Sequence, residues 1–345
     1  MNILSTKRLG WLILTGLITF KSFAFTKEDI AFLANTIDLN PVNSSFSIPQ
    51  NPPSNELRLL SQKYLSYFFY DIDFNLAKHY FYKFSVNQYE IAAQVFLLDS
   101  KFETIILSHG YLDHAGFNHL FIQFLLSQNY NVIVFDQPGH GLSSGVRSQI
   151  DSFSTYQIIL LTTFNHFNAF FTQPIHVIGH STGNVGIIDL LATQSTPWSG
   201  KTIMLAPLIR SKLWGTSKFF YKIGGWILPS IPRKFRNNSH NKAFKKWLKK
   251  EPFVIKKLSK NWVEAHHEWE KSIKKYGVYK QEFTIIQGQK DSIVDFKFNQ
   301  NYLIEHFSNL NLIKIPEANH HLINESDTIR KQVFDTVLGV LQDNN

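Results

Sequence analysis

From Thr104 onward the chain alternates short apolar runs with longer amphipathic ones, and this rhythm leaves few architectures open. The short runs are TIIL (104–107), NVIVF (131–135), IHVI (175–178), TIML (202–205), FTII (283–286) and LIKI (312–315). Between and after them the pattern predicts helices over 117–128, 153–171, 181–192 and 297–306, and a last helix from about Thr328. Strands of four to eight residues separated by helices of ten or more are βαβ units, so an α/β fold with a mostly parallel sheet is expected. Two earlier runs, Tyr80–Ser85 and Tyr89–Leu98, predict an opening pair of strands. After TIML the alternation stops for about 70 residues, and 207–275 reads as an inserted, mainly helical cap. The core is thereby divided into 80–206 and 276–345.

Ahead of the core, 25–79 forms an N-terminal extension. It has an amphipathic stretch (Phe25–Ile37), a loop over 39–56 with four prolines, and a predicted helix over 57–69. Residues 1–24 read as a signal peptide. Lys7 and Arg8 precede an apolar run from Leu9 to Phe20, and Ser22 and Ala24 supply small residues at −3 and −1 of a cut after Ala24. The run is short for a membrane span, which takes roughly 20 apolar residues. A secreted or periplasmic protein is expected; an uncleaved N-terminal anchor is the alternative, kept open by Lys21 beside the cut. The 345 residues contain no cysteine, which excludes disulfides, thiolate metal sites, a Cys nucleophile and a lipid-modified N-terminal Cys.

The chemistry centres on Gly179-His180-Ser181-Thr182-Gly183, placed between the IHVI run and a helix. A strand turning sharply into a helix lifts the serine hydroxyl out of the sheet. It also aims the helix N-terminus at developing negative charge. Such a serine needs a general base, and the base an orienting acid. Asp291 lies just past FTII and His320 just past LIKI, in the chain order Ser, acid, His. Asp295 is a second possible acid but belongs to the following helix, and spacing alone does not separate His320 from His321. The oxyanion hole would take the N–H of Thr182 and that of Tyr111, in the loop after TIIL. His109 reads as a hydrogen-bonding residue that shapes this loop, and Asp136 as support for the loop after NVIVF.

The segments SHGYLDHAG (108–116), VFDQPGHGLSSG (134–145), GHSTGN (179–184), QGQKDSIVD (287–295) and EANHHLINES (317–326) together resemble the monoacylglycerol lipase and lysophospholipase group of α/β-hydrolases, also called serine aminopeptidase-like. The resemblance spans roughly Tyr80 to Leu341. It implies an eight-stranded sheet with a cap inserted after the sixth strand. It also favours His320 over His321, which stands where the family has Glu, and Asp291 over Asp295. The family usually continues its serine motif with a second Gly; Asn184 replaces it here, so altered local packing of the helix is expected.

Residues 207–275 carry 18 Lys and Arg against four acids, together with Trp214, Trp226, Trp247, Trp262 and Trp269. Basic residues interleaved with aromatics suit an anionic membrane surface, with Leu213–Leu228 the stretch for shallow insertion. A solvated basic face over an apolar acyl pocket is the plainer alternative. Nucleic acid is not an expected partner. No cofactor is needed for triad chemistry and no metal site is expected, since the pairs His266-His267 and His320-His321 lack a third ligand at usual spacing. The reading is a serine hydrolase cleaving carboxylic esters, the resemblance pointing to a lysophospholipid or monoacylglycerol. Peptidase or small-ester hydrolase, acyltransferase and non-catalytic lipid-binding protein are the alternatives.

Overall fold

The computed structural model describes residues 25–41, 44–49, 54–69, 72, 76–193, 196–212, 214–215 and 230–343. The predicted signal segment and, apart from Trp214 and Gly215, the Leu213–Leu228 stretch lie outside the described residues.

A nine-stranded sheet runs through the described residues in the order β1-β2-β3-β5-β4-β6-β7-β10-β11. Its strands are β1 (Leu39–Asn40), β2 (Lys78–Val86), β3 (Tyr89–Leu97), β4 (Thr104–Ser108), β5 (Asn131–Phe135), β6 (Ile175–His180), β7 (Thr202–Leu205), β10 (Phe283–Gly288) and β11 (Leu310–Ile315). A small antiparallel pair, β8 (Ser230–Pro232) with β9 (Lys257–Ser259), stands apart within the insertion. Of the nine, β3 alone runs against its neighbours. The expected count was eight; the ninth strand is the two-residue β1, which lies in the Pro-rich segment read as loop and pairs in parallel with Lys83 and Phe84 of β2.

The helices are α1 (Lys27–Thr36), α2 (Asn55–Phe68), α3 (His119–Ser127), α4 (Ser154–Asn168), α5 (Val185–Ala192), α6 (Lys242–Trp247), α7 (Lys260–Ile273), α8 (Phe296–His306) and α9 (Asp327–Gln342). They cover both faces of the sheet, which is why the central strands read as unbroken apolar runs and not as alternating ones. On one face α4, α5 and α7 bury Ile159, Ile187, Ile188 and Trp269 against the strands. On the other face α1, α2, α3 and α9 bury Leu33, Tyr64, Phe121 and Val337.

The extension is part of this packing. A reciprocal cap starts α1, the Thr26 N–H donating to Asp29 and the Asp29 N–H to the Thr26 hydroxyl. Lys63 of α2 then pairs with Asp29 at 2.5 Å. Tyr64, Phe68 and Phe69 are fully buried, and Phe25 and Phe253 close the same aromatic cluster.

Where described, the insertion holds the helices α6 and α7 and the β8–β9 pair, joined by irregular segments. Its described tryptophans point inward: Trp214, Trp262 and Trp269 are buried, and Trp247 half-buried. They therefore do not form the exposed basic-aromatic surface suggested by composition. Trp226 lies outside the described residues. Lys234, Arg236, Lys242, Lys246, Lys249, Lys250, Lys256 and Lys257 do face solvent.

Candidate active site

The C-terminal ends of the parallel strands stand level along one edge of the sheet. Ser108 of β4 is opposite Gly179 of β6, His180 opposite Leu205 of β7, and Gly288 of β10 opposite Ile315 of β11. β4 lies between β5 and β6, so the loops leaving β4 and β6 diverge and open a crevice between them. Ser181 follows β6 immediately, Asp291 follows β10 by three residues, and His320 follows β11 by five. All three arrive at this edge.

Ser181 adopts φ 52°, a left-handed conformation that costs a non-Gly residue about 1–3 kcal/mol. The turn survives because the chain is held on both sides. The Ser181 carbonyl accepts from the Leu208 N–H at 3.2 Å and from the Asn184 side-chain amide at 3.1 Å, and that amide also donates to Leu205. Gly183 must be glycine, since a Cβ there would lie 2.1 Å from the Ser108 carbonyl oxygen. Asn184 is fully buried. The residue that departs from the family pattern thus serves as a brace for the turn.

His320 joins the other two residues. Its Nδ1–H donates to Asp291 at 2.7 Å, and its Nε2, left with a lone pair, accepts from the Ser181 hydroxyl at 3.0 Å. Asp291 also accepts from Gln287 at 3.1 Å and from the N–H groups of Ile293 at 2.8 Å and Val294 at 3.1 Å. Burial alone would raise its carboxyl; the facing His320 imidazole and these donors outweigh that and hold it below the usual carboxylate range. Asp295 caps α8, accepting from the Phe298 N–H at 3.3 Å, and takes no part in this chain of bonds.

Two histidines and one aspartate shape the facing loops. His109 Nδ1–H donates to the Gly110 carbonyl at 2.8 Å, and its Nε2 accepts from the Gln137 N–H at 3.0 Å. His140 does the reverse service, donating to Pro138 at 2.8 Å and accepting from the Leu112 N–H at 3.0 Å. Asp136 accepts from the N–H groups of Ala115 and Leu142, one in each loop. The loop of Tyr111 is thereby fastened opposite Ser181. The Tyr111 N–H has no acceptor among the described residues. Thr182 is the second residue of the 3₁₀ turn (Ser181–Asn184) that leads into α5, a position whose N–H a helix leaves without an internal partner.

The insertion closes over this loop. Trp262 of α7 stacks on the Tyr111 ring at 4.0 Å, and the Tyr111 hydroxyl accepts from the Ser259 N–H while donating to the Ser148 carbonyl. α7 is fixed to the core helix α5 through Asp189, which accepts from Trp269 and Tyr276 at 2.8 Å each. On the other side Glu325 accepts from both N–H groups of Asn319 and from the N–H of His240, while the His321 N–H donates to Asn238. Sequence reading singled out neither His140, Gln287 nor Glu325 for these tasks. Their only signal is their place at or just beyond strand ends, Gln287 inside β10 and the other two in the loops that follow β5 and β11.

The family model for serine aminopeptidase S33 matches residues 99–327, well over half of the chain. Among curated proteins, a monoglyceride lipase homolog of monkeypox virus is 25% identical over 252 residues, covering 68% of this chain and 87% of its own. A phospholipase of Bacillus subtilis is 27% identical over 111 residues, covering 32% of this chain and 42% of its own. Among solved structures, a soluble variant of monoglyceride lipase from Saccharomyces cerevisiae superposes with a TM-score of 0.61 at 17% identity, over 75% of this chain and 94% of that one. The monoacylglycerol lipase of Paleococcus ferrophilus gives 0.58 at 18% identity, over 69% and 93%. At these identities the solved structures speak for the fold. The chain is an α/β-hydrolase of the serine aminopeptidase S33 family, in its monoacylglycerol lipase and lysophospholipase-like group.

Proposed function

We propose that the protein hydrolyses carboxylic esters of single-chain lipids, with Ser181 as nucleophile, His320 as general base and acid, and Asp291 as orienting acid. The observation that carries this reading is the unbroken hydrogen-bond chain from the Ser181 hydroxyl through His320 to Asp291. His320 Nε2 takes the hydroxyl proton as Ser181 Oγ attacks the ester carbonyl. The N–H groups of Tyr111 and Thr182 hold the oxyanion. His320 then gives the proton to the leaving alcohol, and water, activated by the same nitrogen, releases the fatty acid. Both curated relatives named above carry lipid-ester names, which supports a monoacylglycerol or lysophospholipid substrate. The solvent-facing lysines of the insertion tilt the choice toward the phosphate-bearing lipid.

A fluorophosphonate probe should label the folded protein and fail to label Ser181→Ala. A panel of monoacylglycerols, lysophospholipids, short-chain esters and aminoacyl amides then reads the substrate class. Preference for the amides would mean a peptidase, and transfer to added lipid alcohols in excess of hydrolysis an acyltransferase. A folded wild type that does not label would leave a lipid-binding protein.

The same basic face supports docking on an anionic membrane, through charge more than through buried aromatics. Cosedimentation with anionic vesicles that weakens with salt is expected; equal binding to neutral vesicles would sink the idea. Export is proposed from residues 1–24, and amino-terminal sequencing of the mature protein should begin at Phe25; a start at Met1 in the membrane fraction would favour the anchor.

A further inference from the structure

Beside the triad lies a second buried constellation that the ester chemistry leaves unused. Asp113, in the loop after β4, sits between His180, the residue before Ser181, and His321, the residue after His320. Asp113 Oδ2 is 3.5 Å from His180 Nδ1, and Asp113 Oδ1 is 3.4 Å from His321 Nε2. All three side chains are buried, at 4–5% exposure. One ligand atom from each can be chosen so that all lie within 4.8 Å of one another.

The tautomer of His180 makes this arrangement unlike an ordinary hydrogen-bonded network. His180 Nε2 faces the His320 carbonyl oxygen at 3.0 Å, and a carbonyl only accepts, so Nε2 carries the proton. In the neutral imidazole Nδ1 is then a bare lone pair aimed at a carboxylate oxygen. Asp113 Oδ1, on its side, is buried without a hydrogen-bond partner among the described residues. Two arrangements join such atoms: a second proton on His180 Nδ1, donated to Asp113, or a cation held between the two lone-pair donors. His321 Nδ1 likewise has no partner among the described residues, so nothing on that side fixes its tautomer and Nε2 is free to offer its lone pair.

The spacing agrees. Nitrogen and oxygen ligands at about 2.0–2.2 Å from a tetrahedral zinc lie about 3.3–3.5 Å from each other. The outer support agrees as well, since a ligating histidine usually donates its other N–H to a carbonyl or carboxylate, as His180 does. We infer that Asp113, His180 and His321 form a binding site for one divalent transition-metal ion, of which zinc suits two imidazoles and a carboxylate best. The sequence expectation of no metal site rested on histidine pairs alone; the third ligand comes from a loop nearly 70 residues before His180. The bound ion would be a fastener. It ties the residue ahead of Ser181 to the residue behind His320, and needs no part in acyl transfer.

The test uses the full chain, stripped with a chelator and then titrated with Zn2+ and, separately, Co2+. Expected are one zinc per chain after desalting and visible Co2+ absorption of tetrahedral type that Zn2+ erases. A melting midpoint raised by roughly 3–6 °C at ~100-fold excess over Kd should accompany them. Asp113→Asn and His321→Gln, each checked for folding by circular dichroism, should lose all three responses. A wild type that retains no zinc and shows no cobalt spectrum overturns the site, as does either folded variant binding as tightly as wild type.

Discussion

The main-chain N–H of His240 donates to the Glu325 carboxylate at 2.8 Å, joining the inserted segment to the loop that carries His320. The same carboxylate accepts from the Asn319 N–H at 2.8 Å, one residue before His320. Glu325→Gln would turn part of this acceptor into a donor facing N–H groups. A stability loss of about 1–3 kcal/mol is expected, with a fall in kcat as the His320 loop loosens. Thermal denaturation and steady-state kinetics check it; an unchanged midpoint would mean the carboxylate does not hold the loop.

Asn184 replaces the family's glycine and braces the serine turn. Asn184→Gly should therefore lower stability by about 1–2 kcal/mol and reduce kcat several-fold, since two side-chain hydrogen bonds go and helix propensity falls. Gly179→Ala should be worse, because its Cβ would meet the Asn184 side-chain oxygen at 2.4 Å. The double variant removes that obstruction and should recover part of the loss. Strict additivity in the double-mutant cycle would argue against contact between the two positions.

Asp291 and Asp295 make a matched pair. Asp291→Asn should lower kcat by roughly 10³–10⁴-fold, because the amide leaves His320 in the wrong tautomer. Asp295→Asn should leave kcat within about twofold, since asparagine caps a helix as well as aspartate does. Reversal of the two effects would move the orienting role to Asp295.

Acid should destabilise the fold through two buried histidines. Burial pushes His140 down to about 3 and His79 down to about 4, both below the ordinary histidine value of about 6.5. Between those values and 6.5 the unfolded chain binds more protons than the folded one, so stability rises with pH across the window and is lost as pH falls through it. Each group contributes on the order of 3–5 kcal/mol if its window is fully crossed. Protonated His140 could also no longer accept from Leu112, which would free the Tyr111 loop. The melting midpoint should drop steeply from pH 6.5 to 4, and His140→Gln should flatten part of that slope; a midpoint level over this range would contradict the account.

Much of the fold was legible because the strands appear as short apolar runs, unbroken in the central ones, β4 to β7 and β10, which are buried on both faces. Ser181, Asp291 and His320 were legible for a related reason, each standing just past such a run. Other features depended on neighbours remote in the chain. Whether His320 or His321 turns toward Ser181 is decided by how the backbone leaves β11, and residue spacing does not carry that; the family resemblance did. Composition placed the insertion's tryptophans beside lysines, yet Trp262 and Trp269 turn inward to Tyr111, Tyr156 and Asp189, partners contributed by other segments. β1 escaped notice because two residues are too few to show any periodicity.

The aromatic cluster of the extension also bears on how small this enzyme can be made. Phe25 lies 5.4 Å from Tyr64 and 6.1 Å from Phe253, so amino-terminal helices, core and insertion share one packed interior. The family match begins only at residue 99. A chain trimmed to that span would bare a sheet of aromatic rings to water, and surfaces of that kind drive proteins to self-associate. The minimal soluble unit is therefore longer than its likeness to relatives suggests, and the helices before the core act as its built-in solubiliser.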